Sequence, residues 1–567
     1  MDNNQIESNI IILSNRARLK LFCKIYKKTI LFFAFPLAFS PIAFIGDNDA
    51  YISFYIFLIT ASYWIFDILH PAVTSLIPVA LSTFMNYLDH EIINFIYIRN
   101  VLLDCFGILM FIAAIEDSKI HKRLAVKILY IFGCSHYRLC FLIFFTTMLL
   151  SMWISNTIAC GFMMPIVKAI IIELEKMGIL ELYETISKSN NHEERDKIDK
   201  RPTDFTVFYF LGVAYSSSIG GMATMTGSQT NEIFKVYSEK SFPLGPKIEF
   251  PQFMLLTLPG VLVLETMLYL WMNFYFLGLF RIHNYSTLQT GSTEEESQYV
   301  KTLLKIQYEK LGSITMKETV VCITIIICIL LQMSTSTYLC RYCNDSHIQV
   351  SSPTILCVLI LFLTPTNMDF LKFCKKRNGQ RIETMPSTPS KPCLSWKIVK
   401  NEIHWSILFV IGGSCVMFDA LKQARMTDEF EKLLQVFSDW PAAILVLMVV
   451  VFCKILTEFA SNTCVAHCLL DHVIRVSLTS QVNPHYLMLA ATLSCSLPFH
   501  LITGTPANAM VASYFNIPRQ KMIYAGIGPT LFSIVVIWFT VTIWSKAIWT
   551  DITLFPDWAI NNNLTNN

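Results

Sequence analysis

Charged residues are scarce in this sequence of 567 residues: they make up 15% of it, against 54% hydrophobic residues. Soluble proteins carry about a quarter charged residues, so this composition argues against a soluble enzyme. An excess of one charge is also lacking, because 44 Lys and Arg face 41 Asp and Glu, which argues against a nucleic-acid partner. The 17 cysteines are scattered among apolar runs, which argues against a disulfide scaffold.

A cleavable signal peptide is not expected from the first residues. Residues 1–28 are polar, end in a cationic patch and contain no apolar stretch of the kind that such a peptide needs. Cationic residues beside a membrane span favour the cytoplasm. We therefore expect a cytoplasmic N-terminus.

Long apolar runs are what the sequence has instead. They lie at residues 29–45, 51–69, 101–115, 139–172, 205–219, 253–279, 320–333, 353–363, 405–418, 442–456, 487–502 and 522–543. A helix needs about 20 residues to cross a bilayer, and a β-barrel does not show such continuous runs. The sequence therefore predicts an all-α polytopic membrane protein. The run over 139–172 is too long for one span and is polar in its middle, which predicts two half-helices that form a hairpin.

Loop charge predicts how the chain is oriented. Residues 173–201 and 372–400 are rich in Lys and Arg and are expected in the cytoplasm. About eleven crossings would then leave the C-terminus outside, where the sequon at Asn563 could accept a glycan, as could Asn344 in an external loop.

The runs and loops divide the chain into seven expected parts. They are a cytoplasmic segment (1–28), first-repeat scaffold helices with an interfacial helix (29–135), a first-repeat hairpin with transport helices (136–280), a cytoplasmic linker (281–316), second-repeat scaffold helices with an interfacial helix (317–440), a second-repeat hairpin with transport helices (441–550), and an extracellular tail (551–567). The interfacial helices are predicted at 119–130 and 421–437, where charged and apolar residues alternate in an amphipathic pattern. Each precedes a polar interruption of an apolar run.

An internal repeat becomes explicit at these interruptions. The tripeptide Ser-Asn-Thr occurs at 155–157 and again 306 residues later at 461–463. Each copy is followed by a hexapeptide of the form T-G-[ST]-x-x-N, at 226–231 and at 503–508. Two halves that share both signatures in the same order indicate a secondary transporter.

The chemistry of a transport site explains these residue types. A helix broken inside the membrane exposes N–H groups that can hold an anion, and carbonyl and side-chain oxygens that can hold Na⁺. Gly221, Gly227 and Gly504 let the backbone approach an ion closely. No Lys or Arg lies between 141 and 167, 202 and 231, or 483 and 518, so a bound anion would depend on amide dipoles and bound cations. The alternative is that these small polar residues only pack helices together, and duplication disfavours it.

The motifs resemble those of the sodium-coupled divalent-anion symporter family, whose animal members carry di- and tricarboxylates or sulfate. The resemblance runs from about residue 27 to the C-terminus. It rests on the segments 115–123, 150–157, 214–224, 456–458 and 505–508. It implies about 11 transmembrane helices plus two re-entrant hairpins in an inverted repeat. It also implies a homodimer with a scaffold domain and a transport domain that moves as an elevator.

The resemblance assigns site residues as well. The implied Na⁺ ligands are Ser155, Asn156, Gly221, Gly227, Ser461, Asn462, Gly504, Thr505 and Asn508. The residues implied to contact the substrate are Asn156, Thr157, Asn462, Thr463, Thr505 and Pro506. Na⁺ is the co-transported ion, and no other metal is expected.

Several positions depart from the family pattern. They are Gln229, Thr230, Asp471, His500 and Ala507. An intramembrane histidine can carry a proton, so one hypothesis is that His500 modulates or partly replaces Na⁺ coupling. The spacing of His467, Asp471 and His472 also allows a metal site, although a polar face or a hydrogen-bonded group is the favoured interpretation.

The sequence thus predicts a plasma-membrane Na⁺-coupled symporter of divalent organic anions such as succinate or citrate. The nearest alternative substrate is sulfate, because Thr230-Asn231 is similar to the sulfate branch of the family. Two alternatives of other classes stay open. One is a sensor that binds an anion without transport, and the other is a membrane-embedded hydrolase with Ser461 as nucleophile and His467 as base.

Overall fold

The computed structural model describes residues 15–45, 49–85, 100–184, 201–278, 294–334, 352–367, 389–549 and 552–560. Within these ranges the regular structure is almost entirely helical. The named strands of the described part are β1 (Tyr183–Glu184) and β2 (Arg201–Pro202), which form one antiparallel ladder. The all-α prediction is therefore confirmed, whereas the sequons at Asn344 and Asn563 lie outside the described residues.

The described chain begins with α1 (Asn15–Ile25), α2 (Lys27–Ala43), α3 (Asp49–Phe66), α4 (Pro71–Thr74) and α5 (Leu76–Phe84). Helices α2 and α3 contain most of the first two predicted apolar runs and end two and three residues before them. Helices α4 and α5 were not predicted. The chain restarts at Pro71, whose fixed φ suits the first position of a helix, and the His70 ring accepts a bond from the Ala72 amide at 3.3 Å.

The first repeat continues with α6 (Asn100–Ser118), α7 (Ile120–Phe132), α8 (His136–Trp153), α9 (Asn156–Lys176), α10 (Asp204–Gly221), α11 (Gln229–Ser241) and α12 (Phe250–Met272). Four helices follow: α13 (Glu294–Lys310), α14 (Met316–Ser334), α15 (Ser352–Leu363) and α16 (Trp396–Glu402). The second repeat continues with α17 (Ser406–Gln423), α18 (Met426–Gln435), α19 (Ala442–Leu456), α20 (Asn462–Thr479), α21 (Pro484–Cys495), α22 (Pro506–Phe515) and α23 (Arg519–Phe539). Two short helices, α24 (Ser545–Ile548) and α25 (Asp557–Ile560), come last.

The two repeats match in details that the sequence does not reveal. Lys119 and Arg425, again 306 residues apart, have left-handed backbones with φ of 64° and 58°. Each separates a long apolar helix from an amphipathic one, which the sequence predicted at these places. At the other end of each repeat, α12 and α23 continue as π-helices over Asn273–Leu277 and Thr540–Trp544.

The predicted apolar runs lie in helices of the described part, with one correction. The run over 487–502 is not one helix, because α21 ends at Cys495 and the chain through residue 505 is not helical. Seven described helices are long and apolar enough to cross a membrane: α3, α8, α9, α12 with its π extension, α14, α17, and α23 with its extensions. The helix α13 lies in the predicted linker and was not predicted.

Burial separates central helices from peripheral ones. In the apolar 18-residue stretch of α9, 83% of the residues are buried, whereas only 28% are buried in the corresponding stretch of α14. Close packing against α6 explains part of this difference, since a Cβ on Gly161 would lie 2.3 Å from Ile108 Cγ1. The helix that follows the first Ser-Asn-Thr therefore lies inside the bundle. With 18 and 21 residues, α8 and α9 are each long enough to cross a membrane, so the prediction of two half-helices is corrected in length.

A disulfide joins Cys415 on α17 to Cys464 on α20. Both residues are buried. The composition did not reveal this bond, which links a predicted scaffold helix to the second predicted hairpin.

Candidate cation and anion site at the two helix tips

Two helix tips carry the Ser-Asn-Thr motifs, and two non-helical breaks close on them. We call residues 155–157 and 461–463 the first and second tip, and residues 222–228 and 496–505 the first and second break. The Asn156 amide donates to Gly227 O at 3.1 Å, and the Asn462 amide donates to Gly504 O at 2.9 Å. The same bond therefore joins tip to break in both repeats.

Glycine is required where the first tip meets the first break. A Cβ on Gly227 would lie 2.7 Å from Gly221 O and 2.8 Å from Ser151 O. Both atoms belong to the backbone and cannot rotate away. This close approach explains why the Thr-Gly signature marks the break.

The two tip asparagines expose amide donors. Asn156 Oδ1 accepts from the Thr157 amide at 2.8 Å, and Asn462 Oδ1 accepts from the Thr463 amide at 2.9 Å. Each Asn therefore turns its Nδ2 group away from its own helix. Asn156 Nδ2 is buried and has no hydrogen-bond partner among the described residues. Such donors at the starts of α9 and α20 suit an anion, which the helix dipoles also attract.

Asn231 and Asn508, which follow the first and second break, use their amide donors and leave their side-chain oxygen atoms free. Asn231 Nδ2 donates to Gly221 O at 3.2 Å and to Thr224 O at 2.7 Å. Asn508 Nδ2 donates to Pro498 O at 3.1 Å and to Leu501 O at 3.3 Å. Both Oδ1 atoms are buried without a partner in the part of the chain that the structure describes. Buried oxygen atoms of this kind fit a cation.

Polar contacts across the repeats bring the two breaks together. The Thr230 hydroxyl hydrogen-bonds to the Ser496 hydroxyl at 2.5 Å. Tyr215, on α10, donates to Phe499 O at 2.6 Å. Cys160, one turn after the first tip, contacts the carbonyl oxygen of Ala507 at 3.9 Å. The two halves of the chain therefore form one polar centre.

A carboxylate supports the second break. Glu458 accepts from the amides of Phe499 at 2.9 Å, His500 at 2.8 Å and Leu501 at 3.4 Å. Thr505 caps α22, because its hydroxyl accepts from the Asn508 amide at 3.1 Å. The second break is thus held in shape by side chains on both of its flanks.

One cation lies close to this support. Lys454 is 2% exposed, its Nζ lies 4.2 Å from the centre of the Phe499 ring, and it has no hydrogen-bond partner in the described ranges. Lys454 lies in the last turn of α19, and Glu458 follows it by four residues, just after the end of that helix. The 306-residue register places Met148 and Met152 at these two positions in the first repeat.

The structure gathers the residues that the sequence assigned to the site. Ser155, Asn156, Thr157, Gly221 and Gly227 lie at the first tip and break, and all are buried. The corresponding second group is also buried: Ser461, Asn462, Thr463, Gly504, Thr505, Pro506 and Asn508.

Sequence reasoning left Asn231, Thr224 and Lys454 out of the site and used Glu458 only as a motif residue. Asn231 stood in the repeated hexapeptide, and Lys454 was detectable as an ionisable residue inside an apolar run. Thr224, whose hydroxyl accepts from the Gly227 amide at 3.1 Å, had no signal beyond its motif.

The histidine cluster is not a metal site, because its members face different partners. His467 Nδ1 hydrogen-bonds to Tyr237, and Asp471 lies 3.4 Å from Lys422. His472 instead lies 2.9 Å from Glu431. The spacing at i, i+4 and i+5 therefore did not bring the three side chains together.

A different trio does converge. Ligand atoms of Asp428, Glu431 and His472 lie within 4.8 Å of one another. Arg475 already fills this place, with Nε 2.7 Å from Glu431 and Nη2 3.3 Å from Asp428. The group is therefore an ion-pair cluster between α18 and α20.

His500 links the second break to α23. Its Nδ1 lies 2.9 Å from Ile523 O, and its Nε2 lies 2.9 Å from Thr530 Oγ1. Both ring nitrogens are engaged, which favours a structural role for the ring.

Comparisons with known proteins identify the family of this chain. A model of the family described as "Sodium:sulfate symporter transmembrane region" matches residues 23–550. "Protein I'm not dead yet" of Drosophila melanogaster is 30% identical over 544 residues, which cover 94% of this chain and 91% of that protein. The Na(+)/citrate cotransporter of Rattus norvegicus is 25% identical, with 97% and 99% covered. The Na(+)/dicarboxylate cotransporter 3 of Homo sapiens is 26% identical, with 92% of each chain covered.

Two of these relatives are cotransporters by name, and the hydrolase alternative finds no support in the structure either. Ser461 Oγ contacts Thr463 Oγ1 at 3.1 Å, while the His467 ring is bonded to Tyr237. Matched tips, matched breaks and a family match over most of the chain lead to one conclusion. The chain belongs to the sodium:sulfate symporter family, and it is a multi-pass membrane transporter, not an enzyme.

Proposed function

We propose that this protein is a Na⁺-coupled secondary active symporter of divalent organic anions, such as succinate, citrate and related di- and tricarboxylates. The observation that carries the proposal is that both repeats place free amide oxygens and free amide donors at matching positions. Asn231 and Asn508, which follow the two breaks, each have a buried Oδ1 without a partner among the described residues. The asparagine of each tip turns its amide donors away from its own helix. The carboxylate substrates are supported by the names of the citrate and dicarboxylate cotransporters among the relatives.

The charges in the described bundle explain why transport would be coupled to a cation. A dianion at the tips meets amide donors and no guanidinium, and the nearby Lys454 is a membrane-buried cation behind the Phe499 ring. Bringing uncompensated charge into the membrane interior is costly. Bound Na⁺ at the breaks lowers that cost, so cation and anion bind more strongly together than alone.

We assign roles within this scheme by position. The proposed Na⁺ ligands are Ser155, Asn156, Gly221 and Gly227 at the first break, and Ser461, Asn462, Gly504, Thr505 and Asn508 at the second. Contacts with the substrate are proposed for Asn156, Thr157, Asn462, Thr463, Thr505 and Pro506. Asn231 joins the Na⁺ ligands of the first break, because it matches Asn508 in register and in its free oxygen.

The finer architecture is part of the proposal. Residues 136–280 and 441–550 would form a transport domain that moves as an elevator against the scaffold parts, in a homodimer in the plasma membrane with about 11 transmembrane helices and two re-entrant hairpins. The N-terminus would be cytoplasmic and the C-terminus extracellular. Loss of a glycan after Asn563→Gln would support that orientation, and an unmodified wild-type Asn563 in surface protein would count against it.

The function is tested by uptake of radiolabelled succinate into cells that express the full chain, in Na⁺ or choline medium. We expect Na⁺-dependent uptake that unlabelled citrate inhibits and that Asn462→Ala abolishes. Asn401→Ala, which alters an exposed amide on α16, is the matched control and should transport normally. Absence of Na⁺-dependent uptake, with protein at the surface, would overturn the carboxylate proposal.

Sulfate is the second candidate substrate. The observation in its favour is Thr230, which stands at the first break and bonds to Ser496 of the second, in the Thr-Asn pair that is similar to the sulfate branch. Radiolabelled sulfate in the same assay separates the candidates, since only one of the two anions is expected to be transported well.

A further inference from the structure

A buried carboxylate lies on α6, outside the tips and breaks. Asp104 is 1% exposed. Its Oδ1 accepts a hydrogen bond from Thr354 Oγ1 at 3.1 Å, and Thr354 in turn accepts from Gln332 Nε2 at 3.1 Å. Asp104 Oδ2 is buried with no hydrogen-bond partner among the described residues. One half of this carboxylate is therefore satisfied by neighbouring helices, and the other half is not.

The carboxylate faces the first tip and the first break. The Ser155 side chain interacts with it from the tip. Glu232, in the first turn of α11, is close enough for its charge to interact with that of Asp104. Glu232 directly follows Asn231, whose Oδ1 is also unpartnered. The Asp104 carboxylate on α6 and the Ser155 hydroxyl at the first tip therefore lie next to each other, and both residues are buried.

The second repeat has no charge at the corresponding positions. In the 306-residue register Asp104 corresponds to Val410, and in the register of the hexapeptides Glu232 corresponds to Ala509. Glu458, the carboxylate beside the second break, uses both oxygen atoms to accept backbone amides. The two repeats therefore differ in charge at otherwise matching positions.

A carboxylate buried with one oxygen unpaired is costly unless a cation compensates it. Hydroxyl, amide and carboxylate oxygens are ligands that suit hard cations. We propose that Asp104 is a ligand of the Na⁺ ion at the first break, together with Ser155 and Asn231, and that it gives this site a negative charge which the second lacks. The inference rests on the proposed function. Its consequence is that the first site binds Na⁺ more tightly than the second and fills first.

The test is Na⁺ binding to the purified full-length protein in detergent, measured as the thermal shift on titration with NaCl at constant ionic strength in choline chloride. We expect Asp104→Asn to raise the Na⁺ concentration for half-maximal stabilisation by about tenfold or more, since a neutral amide loses the charge attraction. Asp117→Asn, which neutralises an exposed carboxylate on the same helix, should behave as wild type.

The same titration separates a ligand from a merely structural residue. A ligand role predicts that Asp104→Asn is at least as stable as wild type in choline, because the unpaired charge is gone. A variant that is less stable in choline and shifts with Na⁺ as wild type does would overturn the proposal. If wild type itself shows no Na⁺-dependent thermal shift or uptake, the proposed function fails. If wild type responds to Na⁺ and Asp104→Asn responds in the same way, the proposed function stands and only the role of Asp104 is ruled out.

A second measurement uses unmodified protein and so does not depend on how the variant folds. A hydrophobic carbodiimide labels buried carboxylates, and peptide mass spectrometry reads the label at Asp104. We expect Na⁺ to protect Asp104 by severalfold relative to choline. Equal labelling in both media would overturn the proposal.

Discussion

Asn231 and Asn508 make matching contacts in the two repeats: each donates its side-chain amide to two backbone carbonyl oxygens in or next to the break that precedes it. Each leaves Oδ1 buried without a partner in the described part of the chain. The amide therefore does two things. It holds the broken backbone in a loop, and it presents an oxygen atom to whatever occupies the break. A cation is the occupant that completes this arrangement.

Replacing Asn508 by alanine should weaken Na⁺ binding and loosen the second break. Two hydrogen bonds to backbone carbonyls disappear, which costs about 1–3 kcal/mol, and one cation ligand is lost. We expect the Na⁺ concentration for half-maximal uptake to rise by about tenfold. Asn401→Ala serves as control, and an unchanged Na⁺ dependence of Asn508→Ala would contradict the assignment.

Replacing Gly227 by alanine should abolish uptake. The added methyl group would lie 2.7 Å from Gly221 O and 2.8 Å from Ser151 O, so the first break must move away from the first tip. Surface expression and uptake are measured together, with Gly245→Ala as control, because there the nearest atoms lie at 3.2 to 3.3 Å. Normal uptake by Gly227→Ala would show that tip and break need not touch.

Glu458 and Lys454 should be coupled energetically. Glu458→Gln keeps one of two acceptor oxygens and removes a negative charge that acts on the buried Lys454, so we expect it to lose about 1–3 kcal/mol of stability. Adding Lys454→Met, the residue type at this position in the first repeat, should restore part of the loss. Unfolding of the single and double variants measures the coupling. Simple additivity would show that the two charges do not interact.

The disulfide between Cys415 and Cys464 should restrain transport. It joins α17 to α20, and the proposed elevator requires these helices to move relative to each other. We expect a membrane-permeant reductant to raise uptake by wild type severalfold and to leave Cys415→Ser unchanged. Rapid uptake by protein whose disulfide is intact by non-reducing mass spectrometry would argue against movement at this contact.

Protonation of His500 should have little effect on transport. Thr530 can donate to Nε2 or accept from it, so the contact with α23 persists in either protonation state. We expect the uptake of wild type and His500→Gln to follow the same course between pH 5.5 and 8. A pH dependence of wild type that disappears in the variant would instead support the hypothesis that His500 modulates Na⁺ coupling.

Local features of this protein follow directly from its sequence. A helix needs only a sufficiently long apolar run, so the positions of α2, α3, α6 and the later apolar helices were predictable. Duplicated tripeptides and hexapeptides are equally local, and they identified both tips and both breaks. The sequence did not show that the second break begins directly after Cys495, because residues 496–502 are apolar enough to continue a helix. Glu458 prevents this by accepting hydrogen bonds from backbone amides of the break.

Contacts between distant segments were decided by the tertiary structure alone. Spacing on one helix suggested a metal site at His467, Asp471 and His472, but the neighbouring helices supply each side chain with a different partner. The bond between Thr230 and Ser496 spans 266 residues, and the bond between Cys415 and Cys464 spans 49.

The sequence by itself determined that this is a helical membrane transporter with a duplicated polar centre, because apolar length and repeated motifs are properties of the chain. Only the tertiary structure decided which oxygen atoms stay unpaired and that Asp104 faces Ser155. Those relationships depend on how α6 packs against the first tip, and helix packing depends on surfaces that no single segment contains.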